Sequence, residues 1–101
     1  MKKIVLLCAA GMSTSALVNK MKAYAKEAGY AYDISAHPVA EATTFAADAD
    51  CVLLGPQVRF NVDSVKAKLP GKPVEAIDMR AYGMMDGAKV VETARKMMGE
   101  A

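Results

Sequence analysis

Lys3-Ile4-Val5-Leu6-Leu7, followed at once by Cys8-Ala9-Ala10-Gly11-Met12-Ser13-Thr14-Ser15, sets the fold of this chain. An aliphatic run without polar alternation predicts a strand covered on both faces, as parallel sheets require. A tight loop of small residues comes next. From residue 13 to about 28 the apolar positions Leu17, Met21, Tyr24 and Ala28 recur at helical spacing, while Lys20, Lys22, Lys26 and Glu27 take other faces. A charged start before an apolar run also resembles a signal peptide. The run is short, however, and a Lys-rich helical pattern follows directly, which favours a buried first strand.

The same alternation continues outward. Gly29 is a helix stop. Residues 30–36 read as a second, weaker strand that His37-Pro38 breaks, and Pro38 can open a short helix to about residue 47. Cys51-Val52-Leu53-Leu54 is a third short buried strand, ended by Gly55-Pro56. Val58, Val62, Val65 and Leu69 then recur at helical spacing. Pro70-Gly71-Lys72-Pro73 is a turn cluster, residues 74–77 a fourth strand, and residues 78–82 a helical turn ended by Gly83. Asp86 starts a last helix to about residue 98, with Val90, Val91, Ala94 and Met98 inward.

Strands and helices in strict alternation imply an α/β domain: a four-stranded parallel sheet with right-handed crossovers and helices on both faces. The expected strand order is 2-1-3-4, a truncated flavodoxin-like arrangement. Ligands of such sheets bind beyond the carboxyl ends of the strands at the switch point, which strand 1 flanks. Cys8 stands there.

The 101 residues fit one domain, residues 1–101, large enough to bury one core. With 53% hydrophobic residues, no tryptophan and 6% aromatics, that core must come from aliphatic residues and the eight methionines. The net charge of +2 is too small and too dispersed for nucleic-acid binding. Two cysteines without Cys-x-x-Cys or metal spacing, and one histidine, point to reduced thiols, no disulfide framework and no metal. No stretch reaches the ~20 apolar residues of a membrane span. The expected location is the cytoplasm, and the start at Met1 suggests a free-standing subunit.

The loop after Cys8 is built for an anion. Small side chains let the backbone approach a ligand, and Gly11 can adopt positive φ. Converging N–H groups form an anion nest, and the first helical N–H groups add unpaired donors and the positive end of the helix dipole. Ser13, Thr14 and Ser15 supply hydroxyls for capping and further hydrogen bonds. Such a field stabilises a thiolate, and the same donors can hold a phosphoryl group once the sulfur has attacked one. A packing cysteine before an ordinary capped turn is the other reading of the same residues. The strand-end position and the hydroxyl-rich loop favour the reactive thiol.

Leu7-Cys8-Ala9-Ala10-Gly11-Met12-Ser13-Thr14-Ser15 resembles the active loop of the lactose/cellobiose (chitobiose)-type enzyme IIB of the bacterial phosphoenolpyruvate-dependent sugar phosphotransferase system. Val52-Leu53-Leu54-Gly55-Pro56-Gln57 is similar to the family's third strand and its loop. Leu69-Pro70-Gly71-Lys72-Pro73-Val74-Glu75, with Ile77-Asp78 and Tyr82-Gly83, is a third match, so the likeness runs the length of the chain. The resemblance implies a phosphotransferase that takes phosphate on its cysteine from a phosphohistidine IIA protein. It then gives the phosphate to a sugar held by the membrane IIC component during uptake, docking transiently at the inner face of the membrane. Cys8 matches the phosphocysteine, and residues 9–15 the phosphate loop. Many members carry a hydroxyl or amide directly after the cysteine. This chain has Ala9, so backbone N–H must replace any side-chain contact there. No cofactor is implied. The sugar class, a β-linked disaccharide such as cellobiose, lactose or diacetylchitobiose, is a family-level expectation, since specificity resides mainly in IIC.

The main rival is a cysteine-loop phosphatase of the low-molecular-weight tyrosine phosphatase kind, or an arsenate reductase. That loop is Cys-x5-Arg, and the arginine clamps the transition state; here the position holds Thr14. A flavin or nucleotide module would need more stacking aromatics. A receiver domain would need acidic residues where Cys8 and Gly55-Pro56 stand, and Asp48 and Asp50 precede the third strand instead. Gln57, Asp78 and Tyr82 are expected at the rim of the site, with Asp78 equally readable as a helix cap and Gln57 as a plain loop residue. Arg59 reads as an exposed helix-start residue and Cys51 as core. His37 has a structural or surface role, and Lys20, Lys22 and Lys26 form a solvated face. Met12 is the expected apolar contact for partners.

Overall fold

In the computed structural model the opening aliphatic run forms β1 (Lys2–Cys8), buried without exposure from Ile4 to Leu7. The structure describes every residue except Ala10 and Gly11, and of Met12 and Ser13 only the backbone. Then come α1 (Met12–Ala28), β2 (Tyr32–Pro38), α2 (Ala42–Phe45), β3 (Cys51–Leu54), α3 (Val62–Lys68), β4 (Val74–Ala76), α4 (Met79–Gly83) and α5 (Gly87–Met97). Short 3-10 turns at Val39–Glu41 and Pro56–Asn61 lead into α2 and α3. The strands form one parallel sheet in the order β2-β1-β3-β4, as expected. Successive residues of β1 point to opposite sides of the sheet. Ile4 and Leu6 pack with Leu17, Val18, Met21 and Ala25 of α1 and Val90, Val91 and Ala94 of α5. Val5 and Leu7 pack with Ala42, Val58, Val65 and Leu69 on the other side. Both faces of β1 are therefore covered, which is why its sequence carries no polar alternation.

Several boundaries differ from the sequence reading, each for a local reason. β2 starts at Tyr32, two residues late, because Tyr30 belongs to the end of α1. Gly29 turns at φ 81°, its N–H donates to the Lys26 carbonyl, and the Tyr30 N–H donates to the Ala25 carbonyl. That pairing is a Schellman closure. Ala28 is exposed because the helix ends there, and Ala25 takes the inward place. His37-Pro38 does not break β2. It completes it, opposite Leu7 and Cys8. β2 is one of the two outer strands of the sheet, where a proline without an N–H is tolerated. Ile77 continues the ladder one residue past β4, its N–H donating to the Leu54 carbonyl at 2.7 Å. The last helix is capped by Asp86, whose carboxylate accepts the Lys89 N–H at 3.1 Å, and Met98 behind it is only half-buried.

One packing feature is invisible in the sequence. Gly87 opens α5 against the middle of α1, where a Cβ would lie 2.6 Å from the Lys20 carbonyl carbon and 2.7 Å from the Met21 nitrogen. Only glycine allows that approach, and it sets how tightly α5 closes over α1. No helix among the described residues is long and apolar enough to cross a membrane.

Candidate functional site

Cys8 is the last residue of β1, at the carboxyl end of the sheet, and α1 begins four residues later. Its side chain shares the face of Ile4 and Leu6, the side covered by α1 and α5. Cys8 is 6% exposed, and its Sγ lies 3.8 Å from the His37 carbonyl oxygen of the neighbouring strand, a weak S–H···O contact. Ala9 is an exposed bend. Ala10 and Gly11, and the side chains of Met12 and Ser13, lie outside the described residues, so half of the expected phosphate loop is not part of the geometry. Its far end is. Ser15 is exposed on α1, and Thr14 is buried.

The Thr14 hydroxyl lies 3.0 Å from the hydroxyl of Tyr82, itself only 9% exposed. Tyr82 reaches it from α4, across the sheet from the exit of β4. The Tyr82 ring also faces Gly55, where a Cβ would stand 3.8 Å from its Cε1 and 3.7 Å from the Leu7 carbonyl oxygen. Gln57 is exposed, with its carboxamide oxygen folded over the same glycine, 3.1 Å from that Cβ position. The Gly55 N–H donates to the Leu7 carbonyl at 2.8 Å. Gln57 and Tyr82 thus stand beside the end of β1. They share a shallow depression with Pro56, Arg59 and Met79.

The other singled-out residues take ordinary places. The Asp78 carboxylate caps α4, accepting the Ala81 N–H at 3.0 Å. Exposed Arg59 donates to the Pro56 carbonyl at 3.0 Å. His37 stacks on Phe45 with centroids 4.0 Å apart, and its Nε2 is 3.1 Å from the Ser35 hydroxyl. Its ring shares the face of Leu7, opposite Cys8; only its carbonyl meets the thiol. Lys20, Lys22 and Lys26 are exposed. Cys51 is fully buried against Met97, and burial, aided by the Glu75 and Asp50 charges, pushes its thiol up to about 12.

Sequence reasoning missed two links: the His37 carbonyl beside the Cys8 sulfur and the Thr14–Tyr82 hydrogen bond. Neither had a local signal. Thr14 and Tyr82 are 68 positions apart, and only the shared carboxyl end of the sheet makes them neighbours. The link also bears on the phosphatase rival. The position that an arginine would occupy in a Cys-x5-Arg loop is a short, buried hydroxyl tied to a tyrosine.

A parallel α/β sheet with a thiol at the carboxyl end of an inner strand, and a helix starting just behind it, defines the class: a small α/β protein with its cysteine where such sheets bind ligands. The comparisons narrow the class. Residues 3–93 match the family model described as the lactose/cellobiose-specific IIB subunit of the PTS system. The chain is 46% identical over 104 residues to the PTS system galactose-specific EIIB component of Lactococcus lactis subsp. cremoris (strain MG1363), covering 96% of each chain. It is 45% identical over 104 residues to the cellobiose-specific EIIB component of Lactococcus lactis subsp. lactis (strain IL1403), again covering 96% of each. The solution structure of the cellobiose-specific phosphotransferase IIB component from Borrelia burgdorferi superposes with a TM-score of 0.81 at 37% identity, over 97% of this chain and 92% of that one. The chain belongs to the lactose/cellobiose family of IIB subunits, phosphotransferase components of bacterial sugar transport.

Proposed function

We propose that Cys8 is the residue that carries the phosphoryl group, held by backbone N–H groups of residues 9–15. The supporting observation is its position: the last residue of the inner strand β1, four residues before α1, at the carboxyl end of the sheet. A helix start offers N–H groups without intrahelical acceptors and the positive end of its dipole, which supports an anion carried at that point.

The chemistry is two displacements at phosphorus. In the first, the Cys8 thiolate attacks the phosphorus of a phosphohistidine on a IIA partner. An S–P bond forms, the N–P bond breaks, and the electron pair returns to the imidazole nitrogen. In the second, a sugar hydroxyl held by the membrane IIC partner attacks the same phosphorus. An O–P bond forms, the S–P bond breaks, the thiolate leaves, and the hydroxyl proton goes to a base on the IIC side. The amides hold the three non-reacting oxygens throughout, so neither a metal nor a cofactor takes part. The protein acts in the cytoplasm and docks at the inner face of the membrane. Thr14 and Ser15 assist at the helix start, Met12 offers apolar contact, and Gln57 and Tyr82 border the site, with Asp78 supporting Tyr82 through the cap of α4.

The sugar is a β-linked disaccharide, in keeping with the relative named for cellobiose. The galactose- and cellobiose-named relatives are almost equally similar to this chain, which supports a choice of sugar made in IIC. The test is phosphate transfer from a phosphorylated IIA partner to the wild type, Cys8→Ser and Cys51→Ser. Acid-labile phosphate is expected on the wild type and on Cys51→Ser alone. Label retained by Cys8→Ser, or found on Cys51, rejects the assignment.

A further inference from the structure

We propose that Tyr82 is a positioning residue: its hydroxyl holds the first turn of α1 in register with the Cys8 sulfur. The inference rests on the phosphocarrier reading of Cys8 but has one readout that does not. The Tyr82 hydroxyl is 3.0 Å from Thr14 Oγ1, and both residues are buried, at 9% and 1% exposure. Thr14 is the third residue of α1 and lies in the turn whose N–H groups have no acceptor within the helix. Those are the groups that must point at the sulfur and whatever it carries. A ring that only filled space would need no hydroxyl. With water excluded from both partners, the O–H···O bond fixes the rotation of Thr14 and with it the direction of the first-turn amides.

Tyr82 is itself held firmly. Its N–H donates to the Asp78 carbonyl at 2.9 Å, and the Asp78 carboxylate caps the same short helix. The ring edge lies against Gly55, whose N–H is bonded to the Leu7 carbonyl just before Cys8. The tyrosine therefore links the exits of β1, β3 and β4 to the start of α1. No single loop could fix that geometry alone.

The experiment measures phosphate transfer from a phosphorylated IIA partner to the wild type, Tyr82→Phe, Thr14→Val, the double variant and Thr14→Ser, below all melting temperatures. Each hydroxyl-deleting variant should lose about fivefold to tenfold in maximal rate, the worth of one buried hydrogen bond, with KM for the partner unchanged. The double variant should lose less than the product of the two single losses, and Thr14→Ser should recover to within about twofold. Tyr24→Phe, which removes a different tyrosine hydrogen bond, to Glu92 at 2.6 Å, should lower the melting temperature and leave the rate alone. The independent readout is the rate at which iodoacetamide alkylates Cys8 at neutral pH, expected to fall several-fold in Tyr82→Phe. A Tyr82→Phe protein that loses stability but keeps both rates overturns the proposal. A wild type that takes no phosphate, yet whose alkylation still responds to Tyr82→Phe, defeats the phosphocarrier reading and upholds the positioning role.

Discussion

Cys51 sits at the amino end of β3 with no exposure, its Sγ 3.7 Å from Met97 Sδ, and burial pushes its thiol up to about 12. Cys8 ends β1 at the opposite, carboxyl end of the sheet, next to an exposed bend at Ala9. Same side chain, different place: Cys51 is sealed in the core, whereas Cys8, at 6% exposure, borders the exposed bend at Ala9. Native protein treated with iodoacetamide at neutral pH should therefore take up one equivalent, absent in Cys8→Ser and intact in Cys51→Ser, as mass spectrometry of the intact chain would read. Two equivalents without denaturant would contradict the burial of Cys51. At the same scale, Tyr82→Phe strands the Thr14 hydroxyl in a place only 1% exposed. The expected loss is about 1–2 kcal/mol in urea unfolding, since a buried hydroxyl without a partner keeps its full desolvation penalty.

The helices meet the sheet mainly through aliphatic residues, and two glycines outside that contact differ sharply in what they allow. At Gly87 a methyl group would meet the backbone of α1 at 2.6 Å, an approach that neither helix can relieve without shifting. Gly87→Ala should destabilise by about 1–3 kcal/mol through overpacking. At Gly83, the last residue of α4, nothing lies within 4 Å of a Cβ, and its φ is not in the left-handed region. Gly83→Ala should be neutral or stabilising by about 0.4–1 kcal/mol, because alanine loses less backbone entropy on folding. Equilibrium denaturation of the pair decides it. Equal destabilisation in both would mean that α5 does not close on α1 as described.

For the molecule as a whole, α1 and α5 are joined by a polar cluster. Tyr24 donates to Glu92 at 2.6 Å, and Arg95 pairs with Glu92 at 3.0 Å and lies 4.1 Å above the Tyr30 ring. The hydrogen bond from Tyr24 holds the Glu92 carboxyl below its ordinary range, and the same bond raises the Tyr24 hydroxyl to about 12. A depressed carboxyl stabilises the fold above its unfolded value and loses that contribution as pH falls through the folded one. A raised phenol stabilises below its ordinary value of 10.0 and loses that contribution as pH rises through about 12. The melting temperature should thus be flat across neutral pH and fall on both sides, in acid below the carboxylate range and in alkali between about 10 and 12. Tyr24→Phe should flatten both limbs, in part only, because Cys51 and Tyr32 also add to the alkaline one and Asp48 to the acid one. Melting curves of the two proteins across pH would check it, and parallel limbs would show that the cluster contributes nothing.

Strand order, two-sided burial and the position of Cys8 were legible in the sequence because they follow from local rules. An apolar run without alternation is covered on both faces, alternating strands and helices give a parallel sheet, and such a sheet gathers its loops at the carboxyl ends. Boundaries were less legible. The Schellman closure at Gly29 and Tyr30, and the tolerance of Pro38 on an outer strand, depend on which carbonyl and which edge the chain meets. Contacts between distant segments were not legible at all. The approach of Gly87 to Lys20, the His37 carbonyl beside Cys8, and the pairing of Thr14 with Tyr82 arise only once four strands have been ordered and the helices laid over them. Sequence alone determined where the sulfur stands. Tertiary structure decided what surrounds it, because hydrogen bonds and close packing form between residues that share space and not sequence.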